Sequence, residues 1–162
     1  MKFNLSFLMI FLIASAGYTQ DSDNDLATID GTIKELLDQI TIEPGEKMDT
    51  AAIRSLFHPS AILTVADSSN AETVSLNDFL VLLKDPYYEE GYTEREIYNT
   101  VDEYKGVAHV FQSFYGKDSE GQEERGMNSY QLTYYQGQWR IVSLLWCVEP
   151  EGYPIPAKYL GK

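Results

Sequence analysis

The chain has 162 residues, with 25 acidic against 12 basic side chains and a formal net charge of −13. That balance argues against a nucleic-acid partner, since polyanion binding draws on a basic patch these residues do not assemble, and it disfavours an anionic membrane surface. Cys147 is the single cysteine, so no intramolecular disulfide can form and the fold must hold by packing.

In chain order, Lys2 precedes the apolar run from Leu5 to Ile13 and the small residues Ala14-Ser15-Ala16-Gly17. Residues 1–20 therefore read as a secretory signal peptide, cut after Ala16 or Gln20, and the expected destination is periplasmic or extracellular. The run is too short for a membrane span of about 20 residues, and no later segment supplies one. The remaining chain, about 145 residues, fits one domain that buries about two thirds of its unfolded surface. We place that domain at 21–148, followed by a tail at 149–162. The acidic opening Asp21-Ser22-Asp23-Asn24-Asp25 lacks the Gly and Glu of a calcium loop, having Leu26 and Thr32 where they would stand. A solvated leader, or a helix cap from Asn24 or Asp25, is the better account. No metal or cofactor is expected.

Leu26, Ile29, Ile33, Leu36, Leu37 and Ile40 recur at helical spacing and predict a first helix to about Thr41. Asp49 or Thr50 caps a second, with Ile53, Leu56 and Phe57 inward, and His58-Pro59 ends it. A short strand, 61–65, follows. Ser75 and Asp78 start a third helix carrying Phe79, Leu80, Leu82 and Leu83, which Asp85-Pro86 stops. The acidic, aromatic connection 87–92 is assigned to a rim.

Four strands are then predicted near 93–104, 107–115, 125–135 and 138–148. The last two form a hairpin around Gln136-Gly137, since a short polar-Gly connection between aromatic and β-branched runs marks a tight turn. Pro150, Pro154 and Pro156 keep the tail out of a sheet centre, but Tyr153, Ile155, Tyr159 and Leu160 are apolar enough to dock. Helices followed by long antiparallel strands define an α+β class, with about three N-terminal helices on one face of a curved sheet.

Three stretches carry a resemblance: 52–61, Val107-Ala108-His109-Val110-Phe111, and Gly126-Met127-Asn128-Ser129-Tyr130-Gln131-Leu132 with Gln138-Trp139-Arg140-Ile141-Val142. Over about 26–148 the chain resembles the nuclear transport factor 2-like (SnoaL-like) superfamily, the cone-shaped α+β folds that include ketosteroid isomerase. The resemblance implies a strongly curved antiparallel sheet wrapped on the helices. It does not imply one function, because the fold hosts isomerases, dehydratases, cyclases, ligand binders and dimerisation modules. An isomerase of that family carries a general-base Asp on the strand after helix two, where this chain has Val65 or Thr64. Its second acid, expected on a later strand, has no counterpart within 107–115 or 126–148.

If catalysis occurs, His109 with the hydroxyl of Tyr130 is the expected acid–base pair, since imidazole suits proton transfer near neutrality. His58 is read as a helix C-cap and Cys147 as a small buried hydrophobe. Asn128, Tyr130, Gln131, Arg140 and Trp146 are the candidate ligand-binding residues, polar anchors among apolar walls. Strict alternation from the turn puts Asn128, Tyr130, Trp139, Ile141, Ser143 and Leu145 on one face, and Gln131, Arg140, Val142, Leu144 and Trp146 on the other. Both faces carry apolar bulk, so the helices should cover one and a second copy of the chain the other, giving a homodimer. Three readings remain open: a binder of a small apolar or mixed ligand, an acid–base enzyme, and a ligand-free interaction module.

Overall fold

A computed structural model describes residues 25–83 and 90–162. The expected leader at 1–20, the Asp85-Pro86 stop and most of the aromatic connection lie outside the described residues. Three helices, a six-stranded sheet and one 3-10 turn are described. The helices are α1 (Ile29–Ile40), α2 (Thr50–Ser55) and α3 (Leu76–Leu82). The strands are β1 (Phe57–Ala66), β2 (Ala71–Ser75), β3 (Tyr92–Tyr104), β4 (Val107–Asp118), β5 (Glu123–Tyr135) and β6 (Gln138–Val148), in the order β2-β1-β6-β5-β4-β3. Every neighbouring pair is antiparallel except β1 with β6, which run parallel.

The stripe predicted for the first helix is the one α1 buries, with Ile29, Ile33, Leu36 and Leu37 packed on Leu63, Val110, Tyr130, Leu132, Ile141 and Leu144 of the sheet. At about 1.5–3 kcal/mol per buried aliphatic side chain, this face contributes on the order of 6–12 kcal/mol before chain entropy is counted. Its cap is Thr28 rather than Asn24 or Asp25: the hydroxyl accepts from the Gly31 amide at 3.0 Å. Asp49 caps α2 through the amides of Ala51 and Ala52, and Ser75 caps α3 through Asp78.

Three local expectations are corrected. Pro59 does not end α2; the helix stops at Ser55 and β1 already begins at Phe57. Pro59 falls where the β1–β6 register is interrupted between Phe57 and Ile62, a gap in the ladder where a missing N–H costs nothing. His58 is consequently not a helix cap: its Nδ1 meets Ser60 Oγ at 2.7 Å and its ring lies edge-on to Tyr135. β2, which the sequence pattern did not reveal, returns beside β1 through a turn held by Asp67 Oδ1, which accepts from the Ser69 and Asn70 amides.

Gln136 and Gly137 both have positive φ, 52° and 85°, and Tyr135 pairs with Gln138 across them, so the two-residue turn forms as expected. The strict alternation beyond it does not hold. Gln131 pairs with Ser143 but Leu132 pairs with Ile141, leaving Val142 as an extra residue in β6. This bulge rotates the rest of β6 by one position, so Leu144 and Trp146 join Asn128 and Tyr130 on the helix-covered, concave face. A second bulge at Ile97 in β3 puts Asn99 on the same face as Glu94 and Glu96.

The opposite, convex face is partly covered by the chain's own end. Tyr159 sets its ring edge-on to Phe111 at 5.0 Å, and its carbonyl accepts from Ser113 Oγ at 2.5 Å. Ile155 is buried, and its amide donates to Glu149, which also pairs with Arg125. The expectation that a second copy covers this whole face is therefore modified: the tail occupies the part over β3 and β4. Ile62, Val107 and Leu145 stay exposed.

Candidate functional site

Cross-strand register arranges the concave face in rows. Glu94, Gly116 and Glu124 form one, Asn99, Gln112, Asn128 and Trp146 a second, and Val110, Tyr130 and Leu144 a third. Above them Leu36 and Ile40 of α1, Met48, Phe79 of α3 and Leu83 at its C-terminal end bound a cavity of about 270 Å³. Its floor is Tyr92, Glu94, Phe114, Glu124, Asn128, Tyr130, Leu144 and Trp146. A more open cleft between α1 and β3 also reaches Glu94.

Glu94 is held from both ends. Thr41, where α1 stops, accepts from the Glu94 amide at 3.0 Å and donates to its carbonyl at 3.2 Å through one hydroxyl. The side chain accepts from Asn128 Nδ2 at 3.0 Å and from the Tyr92 hydroxyl at 3.0 Å. Tyr92 lies 3.4 Å from Glu124 as well, so one phenol links the two carboxylates. Gly116 makes that possible: a Cβ there would stand 2.8 Å from the Tyr92 hydroxyl and 3.2 Å from Glu124.

Behind Glu94, Gln112 is fully buried and uses both the oxygen and the nitrogen of its amide. Its oxygen accepts from Asn128 at 3.2 Å and from Tyr130 at 3.1 Å, and its nitrogen donates to Glu96 at 2.6 Å. A network in which every member is satisfied fixes the floor rigidly. No buried side-chain donor or acceptor among the described residues lacks a partner.

Burial raises the Glu94 carboxyl above its ordinary value, and the charge of Glu124 adds to this, while the bonds from Asn128 and Tyr92 oppose it. The residue keeps partial accessibility where it faces the cavity and the neighbouring cleft. Burial also drives Tyr130 well up, with the Glu94 and Glu96 charges adding, so its hydroxyl stays a neutral donor. The floor thus offers a carboxyl able to hold or release a proton, beside a second carboxylate and within aromatic walls.

Of the sequence-predicted residues, Asn128, Tyr130 and Trp146 come together here. His109 and Gln131 do not: they pair with each other on the convex face, one position out of phase with Val110 and Tyr130. His109 Nε2 meets Ser129 Oγ at 3.1 Å and its ring stacks on Phe111. The expected pairing of His109 with Tyr130 is therefore broken by the sheet between them. Arg140 also faces away and binds the Ser55 carbonyl that ends α2 and the side chain of Gln138. Glu94, Glu124, Tyr92 and Gln112 were not anticipated. The signal available was Glu94 and Glu96 at two-residue spacing at the head of a strand, a pattern equally expected of a solvated edge.

No family model and no curated protein matches the sequence. Solved structures do match the fold. An NTF2-like protein of unknown function from Methylobacillus flagellatus superimposes with a TM-score of 0.55 at 13% identity, covering 82% of this chain and 97% of that one. A protein of unknown function with a cystatin-like fold from Nostoc punctiforme gives 0.58 at 10% identity, over 74% and 87%. A nuclear transport factor 2-like superfamily protein from Salmonella enterica serovar Typhimurium gives 0.55 at 14%, over 77% and 89%. The chain has the NTF2-like, cystatin-like α+β fold.

Proposed function

We propose that the domain binds a small, largely apolar molecule inside the cone, with Glu94 as the polar anchor. The observation that carries this reading is the cavity of about 270 Å³ whose apolar and aromatic walls converge on the Glu94 carboxyl. At interior packing density such a space holds on the order of ten non-hydrogen atoms. The test is thermal denaturation across a panel of compounds of that size, repeated on Ile40→Trp, which fills the cavity from α1. A ligand at about 100 times its Kd adds about 2.7 kcal/mol to stability. Shifts seen with the native chain and absent from the variant support the pocket; no shift, or shifts unchanged in the variant, refute it.

A second reading, acid–base catalysis, is favoured by the raised Glu94 carboxyl, which burial makes more ready to hold a proton than an ordinary carboxyl and which faces the cavity. In it Glu94, rather than His109, exchanges the proton and Tyr92 and Asn128 orient it. Two further readings complete the proposal. Export rests on the leader-like residues 1–20 and is tested by sequencing the N-terminus of the protein recovered from the cell envelope or medium. Homodimerisation through the convex face is supported by the exposed Ile62, Val107 and Leu145 there and is tested by light scattering of the native chain against Leu145→Lys.

A further inference from the structure

Within the pocket reading, and resting on it, the lining chemistry points to a class of ligand. We propose that the cavity takes a small organic cation, a protonated amine or quaternary ammonium, with its charged head at Glu94 and Glu124 and its body against Phe79, Phe114 and Trp146. The argument starts from the lining. Its only charged side chains among the described residues are two carboxylates, and none is Lys, Arg or His. Both belong to the row that Gly116 clears, and both lie within reach of one tyrosine hydroxyl.

Two carboxylates brought this close in a low-dielectric space repel, so a cation between them relieves the repulsion and gains both attractions. An anionic ligand would meet the reverse, and a neutral one would leave the repulsion in place. The remaining walls fit the same class. Phe79 and Trp146 lie edge to face at 6.1 Å, and Tyr92, Phe114 and Tyr130 bring further rings to the lining. Aromatic faces attract ammonium groups through their quadrupoles, and desolvated sites strengthen the effect. Each feature alone has an ordinary structural use; a cavity that joins two carboxyl groups, with no cationic side chain among its described lining residues, to an aromatic wall is the arrangement that selects for positive charge.

Matched pairs differing only in charge test this: benzylamine against benzyl alcohol, and choline against 3,3-dimethylbutan-1-ol, by titration calorimetry on the full chain at neutral pH. The expected result is that each cation binds roughly tenfold or more tightly than its neutral partner, and that Glu94→Gln and Glu124→Gln each reduce that cation-to-neutral ratio. Circular dichroism melts of both variants establish that they are folded, and either one suffices for the comparison. Equal binding of cation and neutral partner overturns the ligand class and leaves the pocket standing. A cation preference unchanged in both variants also overturns it, because the selectivity then arises elsewhere. Binding of neither member of either pair refutes the cation class, and absence of any hit in the wider panel refutes the pocket itself.

Discussion

Gly126→Ala tests the packing on which the cavity floor depends. Gly126 pairs with Phe114 across β4 and β5, and its backbone is extended, so it is not required for a turn. It is required for space: a Cβ would stand 2.3 Å from the Cys147 carbonyl oxygen and 2.4 Å from two atoms of the Phe114 ring. Ordinary contact lies near 3.5 Å, so about 1.1 Å of movement is needed in two directions at once. The carbonyl belongs to β6 and cannot move without spreading the ladder, while the Phe114 ring can move only toward the cavity it lines. Overpacking of this kind costs about 1–3 kcal/mol, and a backbone clash places it in the upper half. Alanine restricts the unfolded chain and returns about 0.5 kcal/mol, leaving a net loss of about 2 kcal/mol. For a domain of this size that is roughly 7 °C in the melting midpoint. Far-UV circular dichroism melts supply the midpoint. Adding Phe114→Leu to the variant should recover part of the loss if the ring clash contributes. A midpoint within about 1 °C of the native chain, against an expected shift several times larger, would show that Phe114 and β6 are not packed as described.

Three other outcomes are expected. Glu94 has a raised carboxyl, so the stability it lends is complete below the unfolded value of about 4.3 and is lost as pH rises through the higher folded value. The melting midpoint of the native chain should therefore fall relative to Glu94→Gln between pH 4 and 8, and a flat difference would contradict the buried placement. Tyr130→Phe removes the donor to Gln112 but leaves that oxygen its bond from Asn128, so urea denaturation should show a loss of about 1 kcal/mol. Ending the chain after Glu149 exposes Phe111 and removes the buried Ile155 and the docked Tyr159, costing about 3 kcal/mol and producing new binding of a hydrophobic dye; unchanged stability would mean the tail does not hold to β4 in solution.

Most of the architecture was legible because it follows from local patterns that tertiary contacts reinforce. The stripe from Ile29 to Leu37, the caps at Asp49 and Ser75 and the turn at Gln136-Gly137 each satisfy a local rule that the fold keeps. β2 was missed because Ala71-Glu72-Thr73-Val74-Ser75 lies mostly exposed at the sheet edge, where no apolar alternation is required. The parallel pairing of β1 with β6 joins segments about eighty residues apart, a long-range choice on which local propensity is silent.

The site was less legible for a sharper reason: two single-residue bulges decide it. Without the extra residue at Val142, alternation assigns Trp146 and Leu144 to the convex face, and Asn128 and Tyr130 have no aromatic wall opposite them. Without the one at Ile97, Asn99 would point away from Glu96 and the polar floor would lose its outer end. A bulge leaves little mark in composition, since the extra valine or isoleucine is what any strand there would carry. Its effect on the cavity lining is nevertheless large, because period-two alternation turns a one-residue insertion into an exchange of faces. The same alternation separates His109 from Tyr130. His109 stands one residue from Val110, whose partner Tyr130 lines the cavity, and in a strand one residue is the full thickness of the sheet. The acid that the cone does turn inward is Glu94, on a strand whose alternating acids carry no inward signal of their own; Thr41 and Asn128 hold it there.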